Sequence, residues 1–104
     1  MPSSSSVLFI LSDTMEIRWA KSAAKHRVSR ARSEHVVKTA ETIIREPPPD
    51  DSPLEDDRIV FLGSDPNGVM LEVVAVEIEN GLLIIHAMKM RSQYRPFLKR
   101  KLDA

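Results

Sequence analysis

The chain contains no cysteine. That absence excludes a disulfide scaffold, a thiolate zinc site and a cysteine nucleophile. Glycine is nearly as scarce, with three in 104 residues. Three glycines leave little room for a nucleotide cradle, and no glycine-rich phosphate loop or Gly-x-Ser-x-Gly elbow is present. Aromatics amount to only 5%, so the core must come mainly from Val, Ile, Leu, Met and Ala. The longest unbroken apolar run, Val7 to Leu11, is far too short to span a bilayer. No basic segment precedes it, as a secretory signal would require. A cytoplasmic protein with no membrane partner is therefore expected. A chain of this length has room for one small core, not two.

Net charge is also lacking, because fifteen Lys and Arg balance fifteen Asp and Glu. The balance is uneven along the chain. Met15 to Arg45 carries eight bases against three acids, and Lys89 onward carries six against one. Glu46 to Asp57 holds six acids and no base. Two basic regions thus flank one acidic segment. Basic surfaces attract phosphates, and an acidic loop can neutralise them or draw basic partners.

The serine-rich opening reads as a peripheral extension over residues 1–14. A single domain is expected over 15–104. Met15 to Trp19 alternates apolar and polar residues, as a short half-buried strand does. Ala20 to Lys25 favours a short helix. Ser29 is a good N-cap for a second helix, in which Val36, Val37, Ala40 and Ile44 form one apolar stripe. That helix must end by Glu46, since Pro47-Pro48-Pro49 cannot continue it. An acidic, proline-rich loop over 46–57 follows.

Three strands are then predicted: Arg58 to Ser64, Val69 to Glu79 and Leu82 to Met88. Asp65-Pro66-Asn67-Gly68 and Asn80-Gly81 supply the turns between them. An Asn80-Gly81 loop would set Ala75 opposite His86 and Glu72 opposite Lys89. It would also set His86 on one face with Leu82 and Ile84. Ser92 to Leu102 reads as a last helix. The expected fold is α+β: a short first strand, two helices, a three-stranded antiparallel meander and a C-terminal helix.

The three histidines, His26, His35 and His86, lie on separate elements without metal-ligand spacing. No metal and no cofactor is expected. What remains is Lys, Arg, His and Tyr near the ends of a small sheet. That set suits RNA cleavage, because RNA carries its own nucleophile, the 2′-OH. The reaction needs a base for that hydroxyl, an acid for the leaving oxygen and cations on the phosphate.

Several segments carry a resemblance to a known family. They are Glu16-Ile17-Arg18-Trp19, Ala24-Lys25-His26-Arg27-Val28-Ser29, Arg58-Ile59-Val60-Phe61-Leu62-Gly63, Leu71-Glu72-Val73-Val74-Ala75-Val76 and Ile84-Ile85-His86-Ala87. A basic segment with Arg91 and Tyr94 follows them. In this order they resemble the BrnT family of small bacterial ribonuclease toxins, within the wider RelE/ParE-like superfamily. The resemblance implies an endoribonuclease toxin that needs no metal and is neutralised by a cognate antitoxin protein. Within that reading, residue chemistry and the expected register assign catalytic roles to His86, Arg91, Tyr94 and Glu72, the last by orienting Lys89, and RNA binding to Lys25, His26, Arg58 and Lys89. A homodimer or a toxin–antitoxin hetero-oligomer would be the assembled form. The same fold allows a second reading, a non-catalytic protein-binding module such as a ParE-like gyrase poison.

Overall fold

The computed structural model describes residues 15–51 and 56–98. The expected extension over 1–14, the middle of the acidic loop and the end of the last helix lie outside the described residues. The alternating segment forms β1, Glu16–Trp19. A 3₁₀ turn at Lys21–Ala24 follows it. Ser29 then caps α1, Arg30–Thr39, with its hydroxyl accepting the Arg32 N–H at 3.2 Å. Four strands come next: β2 (Thr42–Glu46), β3 (Arg58–Ser64), β4 (Met70–Ile78) and β5 (Gly81–Lys89). A second 3₁₀ turn, Ser92–Tyr94, leads into helical residues 95–98. No helix among the described residues is long and apolar enough to cross a membrane.

The result is one five-stranded mixed sheet in the order β1-β5-β4-β3-β2. Two expectations are corrected here. The predicted second helix stops at Thr39, and β2 replaces its last part. Thr42, Ile43 and Ile44 are β-branched, which favours the pleated surface over a helix. Ile43 packs with the core beneath α1 and Ile44 with the opposite cluster, a period of two rather than 3.6. The meander therefore gains a strand at one edge. At the other edge β1 joins the same sheet, running parallel to β5.

The second correction concerns the β4–β5 hairpin. Ile78 pairs with Gly81, so Glu79 and Asn80 form the loop and Asn80 supplies the positive φ of 64°. Gly81 is needed in the sheet instead. A Cβ there would collide with the carbonyl oxygen of Glu16 on β1. The close approach of the parallel strand thus claims the glycine that the turn was expected to use.

One face of the sheet packs against α1. Val36 and Val37 bury there with Phe61, Leu71, Val73, Ala75, Leu82, Ile84 and Ala87. Trp19 packs at the rim of this layer and donates its indole N–H to Ser33 Oγ at 2.9 Å. The Asp65 carboxylate is fully buried and gathers the N–H groups of Asn67 and Val69 and the Nε–H of Arg32. These contacts tie the β3–β4 turn to α1. The backbone bond from Val69 leads in holding the Asp65 carboxyl below its usual range, against the opposing effect of burial. The other face carries a smaller cluster of Val60, Leu62, Val74 and Tyr94. Met90 and Leu98 of the C-terminal segment pack with this cluster.

Candidate active site

The open face is organised by one irregularity. Ala75 pairs with Ile84, but the next residue on β4, Val74, pairs with His86. Ile85 is therefore an extra residue in β5, a β-bulge. Without it, His86 would share the helix-covered face with Leu82 and Ile84, as the sequence register predicted. With it, Ile85 and His86 both point to the open face, and Ala87 returns to the core under α1. The bulge carbonyl is not left unsatisfied: the Ser22 hydroxyl donates to Ile85 O at 2.6 Å. Ala20 N–H likewise donates to Ile84 O at 2.8 Å. The 3₁₀ turn is thereby fastened over the bulge, and the His26 ring stands edge-on to His86 with centroids 5.3 Å apart.

The shifted turn and the bulge together overturn the expected Glu72–Lys89 pair. Lys89 faces Leu71 and shares its side of the sheet, whereas Glu72 faces Met88. Glu72 is buried beneath the open face and takes other partners. Arg91 grips the carboxylate with Nη2 at 2.7 Å from Oε2 and its backbone N–H at 2.9 Å from Oε1. Its Nε lies between both oxygens, at 3.1 and 3.0 Å. His86 Nε2 lies 3.2 Å from Oε2.

Burial works to raise the Glu72 pKa, but the guanidinium and N–H of Arg91 outweigh it and hold the carboxyl below its ordinary value. An ionised carboxylate only accepts hydrogen bonds. His86 Nε2 must therefore donate, which leaves Nδ1 as the unprotonated nitrogen. Burial lowers the His86 pKa from 6.5, and Glu72 opposes this only in part. At neutral pH His86 is a neutral imidazole with its tautomer set by Glu72. The Glu72 hydrogen bond raises the Arg91 pKa further, so that cation persists at every working pH.

Tyr94 is buried and donates its hydroxyl to Glu46 Oε2 at 3.1 Å. Burial first, then Glu46, pushes its pKa above 10.0, so the phenol keeps its proton. Arg91 Cζ lies 5.9 Å from the Tyr94 ring centre. Arg58 faces Glu46 across β2 and β3. Its Nε is buried and meets no hydrogen-bond partner among the described residues. An unsatisfied buried donor is costly, so an incoming acceptor would be favoured there.

These groups share one cleft of about 630 Å³, lined by Ser22, Glu46, Arg58, His86, Arg91 and Tyr94. Of the residues singled out from sequence, Glu72, His86, Arg91, Tyr94, Arg58 and His26 come together in or beside it. Lys25 is exposed at the end of the 3₁₀ turn and does not line the cleft, and Lys89 lies on the other side of the sheet. Glu46 and Ser22 escaped the sequence reading. The signal for Glu46 was the β-branched run Thr42-Ile43-Ile44, which places residue 46 in a strand rather than a loop. Ser22 carried no signal, since its role depends on a bulge far along the chain. No group of three His, Asp or Glu able to hold a metal ion occurs among the described residues.

The arrangement can orient a neutral base, hold a phenol as proton donor and set two guanidiniums beside a phosphate. No protein-family model matches this chain, and neither a curated protein nor a solved structure shows significant similarity to it.

Proposed function

We propose that the chain is an endoribonuclease of the toxin type, restrained by a cognate antitoxin. The observation that carries this reading is the buried Glu72 carboxylate, which orients His86 and Arg91 at the same time. In the proposed step, His86 Nδ1 takes the proton of the RNA 2′-OH. The 2′-oxygen forms a bond to phosphorus and the bond to the 5′-oxygen breaks. Glu72 stabilises the imidazolium that results, as a buried carboxylate does beside a catalytic histidine. Arg58 and Arg91 neutralise the charge that gathers on the phosphate. The Tyr94 hydroxyl turns its proton from Glu46 to the leaving 5′-oxygen, and the phenol is reprotonated from water. These side chains supply the whole proton balance of the step.

The pH dependence follows from His86. The base works only when unprotonated, so activity falls as pH drops through a value below 6.5, the ordinary histidine pKa. At neutral pH kcat/KM lies on a plateau.

The test is RNA cleavage by the purified chain, together with growth on expression. Wild type should cut RNA and arrest growth. His86→Ala should lose about 10²–10⁴-fold in rate, the usual worth of one acid or base. Circular dichroism would show that it remains folded. A wild-type chain that neither cuts RNA nor arrests growth sinks the enzyme reading. The protein-binding module, including a gyrase poison, would then replace it. One observation favours that second reading: two guanidiniums in and beside the cleft face two carboxylates, which lowers its net attraction for phosphate.

A further inference from the structure

Two residues other than glycine hold a positive φ among those described, Asn80 at 64° and Arg27 at 61°. Asn80 sits in a hairpin loop, and asparagine visits this region readily because its short side chain bonds locally. Arginine has no such compensation, so Arg27 is held where glycine would rest more easily. Its backbone N–H closes the 3₁₀ turn on Ala24 O at 3.1 Å. That bond is available to any residue other than proline. The Arg27 side chain is exposed and forms no ion pair among the described residues. The strain therefore gains nothing visible in the folded chain. Strained positions that the fold does not need are drawn from functional surfaces.

The surroundings suggest which function. Lys21 and Lys25 stand on the same turn, exposed and likewise without an acidic partner among the described residues. Next to Arg27, the His26 ring abuts His86. Three cations without an acidic partner among the described residues thus flank or precede His26, the residue of this segment that touches the proton-transfer group of the cleft. Exposed cations fit the charge of a phosphate backbone, and a guanidinium fits a phosphate through two parallel bonds.

We propose that Arg27 is a phosphate-contact residue for single-stranded RNA, holding the strand where it passes from the cleft onto the 3₁₀ turn. The assignment rests on the ribonuclease reading. Arg27 does not line the cleft and takes no part in the proton transfer.

The test uses the full chain and a short single-stranded 2′-O-methyl oligonucleotide, whose blocked 2′-oxygen prevents cleavage. Arg27→Gly and Arg27→Ala should each weaken binding about two- to fivefold, the range of one exposed charge contact. Each should flatten the dependence of log affinity on log salt by about 0.7, one phosphate contact on a single strand. Arg27→Lys should keep most of the affinity. Arg27→Gly should hold or raise Tm, because glycine adopts this φ without strain.

Unchanged affinity in the Gly and Ala variants overturns the inference. If His86→Ala still abolishes cleavage in that case, the ribonuclease reading stands alone. A lowered Tm for Arg27→Gly would make the residue structural, which also overturns it. A wild-type chain that fails to bind the oligonucleotide at low salt removes both readings. Polyglutamate bound as tightly as the oligonucleotide, and weakened equally by Arg27→Gly, would reassign the surface to an acidic protein.

Discussion

The two faces of the sheet are built from the same strands and differ in what covers them. Beneath α1 the layer is closed, and Phe61, Leu71, Val73 and Ile84 have no solvent exposure. On the other face a smaller apolar cluster gives way to Glu72, His86, Arg58 and Glu46. The closed face uses shape and apolar area. The open face keeps Glu72, His86 and Arg91, and likewise Glu46 and Tyr94, in place by bonding them to one another, while the buried Arg58 Nε meets no partner among the described residues. Stability and site chemistry are thereby separated across a single sheet, and substitutions on the two sides should read out differently.

The largest effect on stability is expected on the closed face. Phe61→Ala should destabilise by about 3–5 kcal/mol, through lost transfer energy and the cavity left behind. Urea unfolding measures it. Any RNA cleavage per folded molecule should persist, because the ring lies across the sheet from the cleft. A loss of less than 1 kcal/mol, or a specific loss of cleavage, would break the separation of the faces.

A second effect belongs to the open face and depends on pH. His86 is lowered from 6.5, so the unfolded chain binds more protons than the folded one just below that value. Stability from this group is fully present above pH 6.5 and is lost as pH falls through its folded pKa. Glu72 is lowered from 4.5 and adds a further loss in more acid solution. His86→Gln should therefore flatten the stability curve just below pH 6.5 while leaving the further loss that Glu72 causes in more acid solution. Parallel curves for wild type and variant across that window would contradict the assignment of a neutral, buried imidazole.

The smallest effect sharpens the comparison at the bulge. Ser22→Ala removes the hydroxyl bonded to Ile85 O and should cost about 0.5–1.5 kcal/mol, the net worth of one hydrogen bond. The His26 and His86 ring resonances should both move, because this bond fastens the turn over β5. Unmoved rings would mean that the backbone bond from Ala20 suffices.

Much of the fold was legible in the sequence because it rests on local chemistry. Ser29 announces its helix as an N-cap, and Pro47 to Pro49 announce a break. The bounds of β3 were read correctly from its apolar run and the Asp65 turn. Ala40 and Ile44 continue the helical stripe, so the sequence pattern alone extends the helix past its true end at Thr39. Only pairing with β3 reveals that Ile43 and Ile44 face opposite ways. In the candidate site, the residue types were legible and the partners were not. Glu72, His86, Arg91 and Tyr94 stood out as titratable or charged groups near strand ends. Assigning Lys89 to Glu72 failed because pairing has a period of two, and one extra residue inverts every face beyond it.

The sequence by itself determined four of the five strands, the capped start of α1, the break at Pro47 to Pro49 and which side chains could move a proton or hold a phosphate. Those properties follow from residue type and spacing. Tertiary structure decided which of them meet. β1 comes close to β5 and takes Gly81 out of the turn. The bulge at Ile85 rotates His86 out of the core and onto Glu72, and Arg91 reaches the same carboxylate from beyond the strand end. The physical reason is that register and bulges are set by packing between segments distant in the chain, and no local pattern encodes that packing.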